Sequence, residues 1–260
     1  MILTFPYYDP TGAHNEVFAR QLPTLQSAFA AICISAVPPT ATENCGFVHY
    51  LEEQGCSISH NAPNSAFGVH AREALRLSLA HASEQTPIFF GFLDRILFAL
   101  DTDWRDVFLR DLRTYAAAPF VAFARSAVAW DTHPAHYREI EQMMSRLLEL
   151  LCGRFLDLSP AAMILSAATA DVLLNQSTTA SYAVWAEWVL LALKNRIPLT
   201  TPAVDWLAWE HPYWENVLPD VLKQARDASF VETQKRIQWN ATVMSLLAEE
   251  RFSDLCEAVV

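Results

Sequence analysis

Short apolar runs alternating with helical patterns constrain this chain more than any other feature. The runs are "MILTFPYYD", "AAICISAV", "CSISH" and "PIFFGFL". After the first, "DPTG" breaks the strand, and Val17, Phe18, Leu22, Leu25 and Phe29 recur at helical spacing, with Pro23 placed to kink or split the helix. The second run stops at "PPT". Thr42 then reads as the cap of "ENCGFVHYLEEQ" and Gly55 as its C-terminal stop. The third is followed, beyond the loop "NAPNS", by "AFGVHAREALRLSLAHAS", with Ala71, Ala74, Leu75, Ser78 and Leu79 along one side. Strands that are apolar throughout are buried on both faces, and strands separated by helices pair in parallel. The expected fold class is α/β, a mainly parallel sheet between helical layers. In such sheets ligands bind beyond the carboxyl ends of the strands.

The second half is less regular. "DTDWRDVFLRDLRTYA" reads as a helix and "PFVAFARSAVAW" as a strand with a bend at Arg125. "PAHYREIEQMMSRLLELLCG" is an amphipathic helix whose expected buried stripe is Ile140, Met143, Met144, Leu147, Leu148 and Leu151. "SPAAMILSAATADVLLNQ" reads as a further helix, capped by Ser159 with Pro160 at its first position. "TTASYAVWAEWVLLALKNR" is another, "IPLTTPAVDWLAWE" is extended, and one or two helices close the chain. No repeat, low-complexity stretch or linker interrupts residues 1–260, so a single domain is expected.

Composition narrows the partners. The 260 residues are 52% hydrophobic and 18% charged, a globular mix. A net charge of −11 argues against nucleic acid or an anionic membrane as the main partner. Cys33, Cys45, Cys56, Cys152 and Cys256 show no metal-binding spacing and read as free buried thiols. The start "MILTFPYYDP" is not a signal peptide, and the best candidate span, "YAVWAEWVLLAL", is short and holds Glu187. A cytoplasmic protein without a transmembrane segment is expected.

The order of parts resembles the nucleotide-sugar half of GT-A glycosyltransferases, nearest to inverting enzymes of the dolichol-phosphate-mannose synthase type. "LTFPYYD" lies where that family has its first strand and nucleotide-contacting loop. "GVHAREALRLSLAHA" is similar to its glycine- and arginine-bearing helix, and "FFGFLD" to the strand delivering its DxD metal motif. "VAFARS" resembles a later strand ending in Gly-Ser-Arg, and "RFLDLSPAAM" the Asp-x-x-Ser-Gly-Phe-Arg turn. "YAVWAEWVLLALKNRIPLTTPAV" resembles the acid-bearing helix and return strand. Three departures stand out. "VPPT" replaces the acid pair after strand two, "LDR" holds one acid instead of the metal motif, and the turn lacks its Gly and Arg.

The resemblance implies a GT-A-like domain, with residues 1–115 as the nucleotide-sugar half and 116–260 as the acceptor half. It implies transfer of a sugar from a nucleotide diphosphate to an acceptor, assisted by Mg²⁺ or Mn²⁺. The alternative is a non-catalytic relative binding a ligand or partner in the same cleft. Asp94, just past an apolar strand, would supply a hard oxygen to the cation; otherwise it caps a helix or pairs with Arg95. Asp101 and Asp103, a literal "DTD", read as acids favoured by the next helix's dipole.

Arg72 and Arg76, four apart beside His70, share a face able to meet a diphosphate, or they decorate a solvated turn. Asp9 is a nucleotide contact or an Asx-Pro turn, and Pro38, with Pro39 and Thr40, lines the base or ends a strand. Arg125 is placed with the nucleotide sugar by the resemblance alone. Glu187 is a lone acid in an apolar helix, so it is either the acceptor's general base or one half of a buried ion pair. "DWLAWEHPYW", with Trp206, Trp209, Glu210, His211 and Trp214, suits a sugar-binding wall or a core.

Overall fold

A computed structural model describes residues 1–158 and 162–255. The first half alternates as the sequence pattern requires: β1 (Ile2–Tyr7), α1 (Asn15–Ala28), β2 (Ala31–Ala36), α2 (Pro38–Glu43), α3 (Cys45–Glu53), β3 (Ser57–His60), α4 (Phe67–His81), β4 (Ile88–Phe90), α5 (Leu93–Asp101) and α6 (Arg105–Tyr115). Then follow β5 (Phe120–Ala122), β6 (Ala124–Arg125), α7 (Ala127–Thr132), α8 (Ala135–Cys152), β7 (Met163–Leu165), α9 (Ala167–Gln176) and α10 (Val184–Lys194). The chain ends with β8 (Leu199–Thr200), β9 (Ala203–Val204), α11 (His211–Glu215), α12 (Pro219–Asp227) and α13 (Phe230–Leu247).

Seven strands form one sheet in the order β3-β2-β1-β4-β7-β5-β8, and β6 pairs with β9 beside it. All pairings are parallel except those of β7, which runs antiparallel to β4 and β5. Side chains alternate between two cores. Ile88, Phe90, Phe120, Ala122, Met163 and Leu165 face α4, α9, α10 and α13. Phe89, Val121 and Ile164 join Leu3 and Phe5 against α1, α3, α5 and α6. The expected α/β architecture, a mainly parallel sheet between two helical layers, is borne out.

The order β3-β2-β1-β4 places the switch point between β1 and β4. From β1 the chain winds outward through β2 and β3, then α4 carries it back to β4 on the other side of β1. The connections leaving β1 and β4 therefore diverge and open a crevice at their carboxyl ends. Thr4 of β1 fixes α4 over the sheet by donating its hydroxyl to the Ala74 carbonyl at 2.6 Å.

Several local expectations are corrected. "MIL" is a strand rather than a helix, because these three apolar residues fill the slot between β4 and β5. The helix that follows is capped by Ser166, whose hydroxyl accepts from the Thr169 N–H; Ser159 and Pro160 lie outside the described residues. "PFVAFARSAVAW" breaks into β5, β6 and α7, with Ser126 as the helix cap. Thr42 lies inside α2, its hydroxyl donating to the Pro38 carbonyl at 3.0 Å, and caps nothing. Pro23 leaves α1 continuous. On α8, Met143 is 56% exposed, while Glu141 and Ser145 turn inward with Met144 and Leu148. Gly55 ends α3 at φ +86°, as expected. Cys33 and Cys56 are buried thiols but Cys45 is exposed; Cys256 lies outside the described residues.

Candidate functional site

A cleft of about 190 Å³ opens at the switch point. Tyr7 and Tyr8 enter it from the end of β1, His14 from the start of α1, and Phe92 and Asp94 from the turn into α5. Phe67, at the start of α4, and Tyr182, ahead of α10, close the other side. These two rings stack at 4.1 Å, and Phe67 continues to Phe92 at 6.1 Å. Among the described residues lining this cleft there is no lysine or arginine.

Asp94 is the carboxylate of the cleft. β4 is only three residues long, so "LDRILFAL" is already helix and Asp94 lies in the first turn of α5. One oxygen accepts from the Arg95 N–H at 2.9 Å. Burial raises its pKa, and the nearby Glu210 carboxylate adds to the rise; Arg95 and His14 oppose it without cancelling it. Glu210 is held below the usual carboxylate range: its burial is outweighed by Arg95, 3.4 Å away, and by His211.

Asp9 is buried. Its carboxylate accepts from the N–H groups of Ala13 and His14, both at 2.9 Å, and its N–H donates to the Thr40 hydroxyl at 2.7 Å. It shapes the β1–α1 loop by tying its own carboxylate to the backbone four and five residues on. His14 Nδ1 is 3.2 Å from the same carboxylate. Burial works against ionisation of Asp9, but the hydrogen bonds from His14 prevail and hold its pKa low. Through this pair Asp9 positions an imidazole at the cleft. His14 also packs edge-on against Trp214 at 4.5 Å. Pro38 starts α2 and does not line the cleft, although its neighbour Thr40 holds Asp9.

Three expected site residues are placed elsewhere. Glu187 is fully buried. It accepts from the Ser177 hydroxyl at 2.5 Å, from the Thr178 and Thr179 N–H groups at 2.9 and 3.1 Å, and from Arg251 at 2.7 Å. Burial alone would raise its pKa; these donors outweigh it and lower it. A carboxylate so enclosed anchors residues 177–179 and is not among the residues lining the cleft. Arg72 grips the same turn, donating to the Thr179 carbonyl at 2.7 Å. Its neighbour Arg76 pairs with Glu73. Gly68 explains how α4 comes so close: its N–H donates to the Ala180 carbonyl at 2.8 Å, and a Cβ there would lie 2.0 Å from the Thr179 carbonyl oxygen.

Arg125 is buried in a second network. It donates to Asp157 at 2.8 and 2.7 Å and to Glu141 at 2.6 Å, with its guanidinium 3.5 Å from the Trp130 ring centre. Arg236 joins the network at 2.9 Å from Glu141. Arg125 is buried between these carboxylates and does not line the cleft. Asp101 is likewise not a cap for α6. It ends α5 and accepts from Arg20 and Gln21, both at 2.7 Å, and from Tyr213.

Sequence reading missed His14 and the aromatic walls. The pair Tyr7-Tyr8 at a strand end was the available signal; Phe67 and Tyr182 are brought in by packing between distant segments.

Fold and cleft together define a three-layer α/β protein with a small crevice at the switch point of its sheet. No protein-family model matches the chain, and no curated protein does. Among solved structures the chain is similar to glucosyl-3-phosphoglycerate synthase of Mycobacterium tuberculosis, at TM-score 0.47 and 13% identity over 78% of this chain and 70% of that one. The same enzyme with Mn²⁺, UDP-glucose and phosphoglyceric acid gives 0.48 and 12%, over 78% and 68%. With Mg²⁺ and UDP it gives 0.46 and 11%, over 78% and 68%. At this level of similarity the chemistry of the site rests on this chain's own residues. Among the described residues no helix is long and apolar enough to cross a membrane.

Proposed function

We propose that the cleft binds a nucleotide-diphosphate sugar and that the protein transfers the sugar to an acceptor with Mg²⁺ or Mn²⁺. The observation that carries this reading is Asp94, a carboxylate at the mouth of an aromatic-walled cleft on the carboxyl edge of the sheet. A base or sugar ring stacks on Tyr8, Tyr182 or Phe67. A diphosphate entering beside Asp94 meets no lysine or arginine, so its charge needs a cation. Among the described residues no three His, Cys, Asp or Glu side chains converge as metal ligands. A hard divalent ion suits such a site, because it takes one or two carboxylates and completes its shell with water and phosphate oxygens. Asp94 would hold it, and the ion would draw charge from the leaving diphosphate.

With Glu187 enclosed, the proton acceptor in this reading is His14. Its Nδ1–H faces the Asp9 carboxylate, which leaves Nε2 with the lone pair for an acceptor hydroxyl.

A second reading, a non-catalytic relative, draws on the cleft's small volume, below the usual ligand-pocket range of roughly 300–1,000 Å³. A thermal-denaturation screen of nucleotide sugars, with and without Mn²⁺, decides. A ligand at a hundred times its Kd adds about 2.7 kcal/mol. Mn²⁺-dependent stabilisation together with sugar transfer supports the enzyme. Stabilisation without transfer to any acceptor supports the inert relative, and no stabilisation by any nucleotide sugar overturns the nucleotide-sugar reading of the cleft.

A further inference from the structure

The tryptophans of "DWLAWEHPYW" do not form an open sugar wall: Trp206 and Trp209 are buried, and Trp214 packs against His14. The open aromatic surface is on the Tyr182 side of the cleft. Tyr182 is 56% exposed and lines both the cleft and a second pocket of about 330 Å³, which it shares with Ser181, Lys235, Gln238, Trp239 and Thr242. Rings connect the two. Phe92, Phe67 and Tyr182 follow one another at 6.1 and 4.1 Å, and the buried Trp185 lies 6.1 Å from Tyr182 and 6.4 Å from Trp239.

We propose that this second pocket seats a neutral sugar residue and that the acceptor of the transfer is a neutral glycan, a role that rests on the function proposed for the cleft. Trp185 supports Tyr182 and Trp239 from within, and the two rings reach the pocket. The C–H face of a pyranose packs on such rings, while its hydroxyls need donors and acceptors at the rim. The rim has them. The Gln238 amide and the Tyr182 hydroxyl make no hydrogen bond among the described residues. The Ser181 hydroxyl accepts from the Ala183 N–H at 3.2 Å and keeps its own proton to donate. The Thr242 hydroxyl donates to the Gln238 carbonyl at 2.9 Å and keeps its lone pairs.

Other ligand classes fit less well. Lys235 is the one charged residue of the six, and Glu232 holds its ammonium at 2.8 Å. An anion would compete with that carboxylate on a chain of net charge −11, and a cation would meet the ammonium itself. An apolar molecule would cover the Gln238 amide and the Ser181 and Tyr182 hydroxyls without replacing their water. Among neutral hydrogen-bonding ligands, the junction at Tyr182 selects the sugar. A glycan seated here extends past Tyr182 into the cleft that holds His14 and Asp94. There its hydroxyl would give its proton to His14 and bond to the anomeric carbon as the nucleotide diphosphate leaves.

The test is calorimetric titration with neutral trisaccharides of glucose, mannose, galactose and N-acetylglucosamine, with their uronic-acid counterparts and with uridine. At least one neutral trisaccharide should bind saturably without nucleotide or metal, and no less tightly than its acidic counterpart. Gln238→Ala, on the exposed face of α13 with no bond to break, should weaken it by about 2- to 10-fold. Trp239→Leu should weaken it by about 10-fold. No binding of any neutral trisaccharide, tighter binding of an acidic one or of uridine, or an affinity unmoved by Gln238→Ala would overturn the proposal. Nucleotide-sugar binding is measured on the same protein in Mn²⁺. Its absence beside intact trisaccharide binding would strike the cleft reading and the acceptor role; its presence without trisaccharide binding would strike this proposal alone.

Discussion

Glu187 and Asp94 are both single acids in apolar surroundings, yet the structure treats them in opposite ways. Glu187 is closed off, with two backbone N–H groups, a hydroxyl and an arginine around it. Asp94 keeps one backbone donor, faces a second carboxylate and lines an open cleft. Their pKa directions follow: down for Glu187, up for Asp94. A charge in an apolar run is thus not in itself a mark of function. What separates the two is how many donors the fold supplies. A saturated carboxylate has stability to lose, whereas an under-satisfied one at a cleft is available to a ligand.

The sharpest way to break this contrast is at the most enclosed charge. Arg125→Met leaves Asp157 and Glu141 facing each other inside the protein, and breaking a buried ion pair costs about 3–5 kcal/mol. The denaturant midpoint should fall by a corresponding amount or the variant should fail to fold. A midpoint close to wild type would mean that water reaches this network.

Glu187→Gln comes next. Hydrogen bonds to a charged group are worth about 1.5–3 kcal/mol, and the variant should lose a loss of that order at neutral pH. The sign with pH is fixed by the lowered pKa. Stability from Glu187 is present above its ordinary value of 4.5 and is lost as pH falls through the lower, folded-state value. The gap between wild type and variant should therefore close in acid. A gap that is constant with pH would show that the carboxylate's charge contributes nothing.

Gly68→Ala tests the close approach behind the same turn. A methyl group 2.0 Å from a backbone oxygen must push α4 away from residues 177–179, at about 1–3 kcal/mol. An unfolding curve unchanged by this substitution would contradict the packing described.

Much of this division was hidden in the sequence for a physical reason. Strand and helix patterns are local, so the alternation and the carboxyl-edge position of Asp94 were readable. Partners are not local. Glu187 meets Arg251, Arg125 meets Asp157, and Arg72 meets Thr179, and each pairing depends on the finished fold. Nothing in "YAVWAEWVLLAL" separates a general base from a turn anchor. "MIL" sits inside a helical stretch in sequence because three apolar residues carry no period, and only the space between β4 and β5 decides their conformation. Its neighbours in sequence give Asp101 to the dipole of the next helix, whereas Arg20 and Gln21 of α1 claim it in space.

The smallest expected change in stability has the opposite sign to the others. Asp94→Asn should make the protein slightly more stable at neutral pH, since it removes a charge disfavoured by burial and by Glu210. A raised folded pKa means that the stability linked to the protonated acid is present below the ordinary 3.8 and is lost as pH rises through the folded value. The variant's advantage should accordingly vanish at low pH. A variant less stable than wild type at neutral pH would put Asp94 with the structural charges.

The most direct test of the contrast compares Asp94→Asn and Glu187→Gln with wild type in calorimetric titrations of nucleotide sugars in Mn²⁺. Wild type should bind a nucleotide sugar only with the metal. Asp94→Asn should lose the metal-dependent part of that binding, and folded Glu187→Gln should retain it in full. The reverse pattern, with binding intact in Asp94→Asn and abolished in folded Glu187→Gln, would contradict the placement of function at the open cleft.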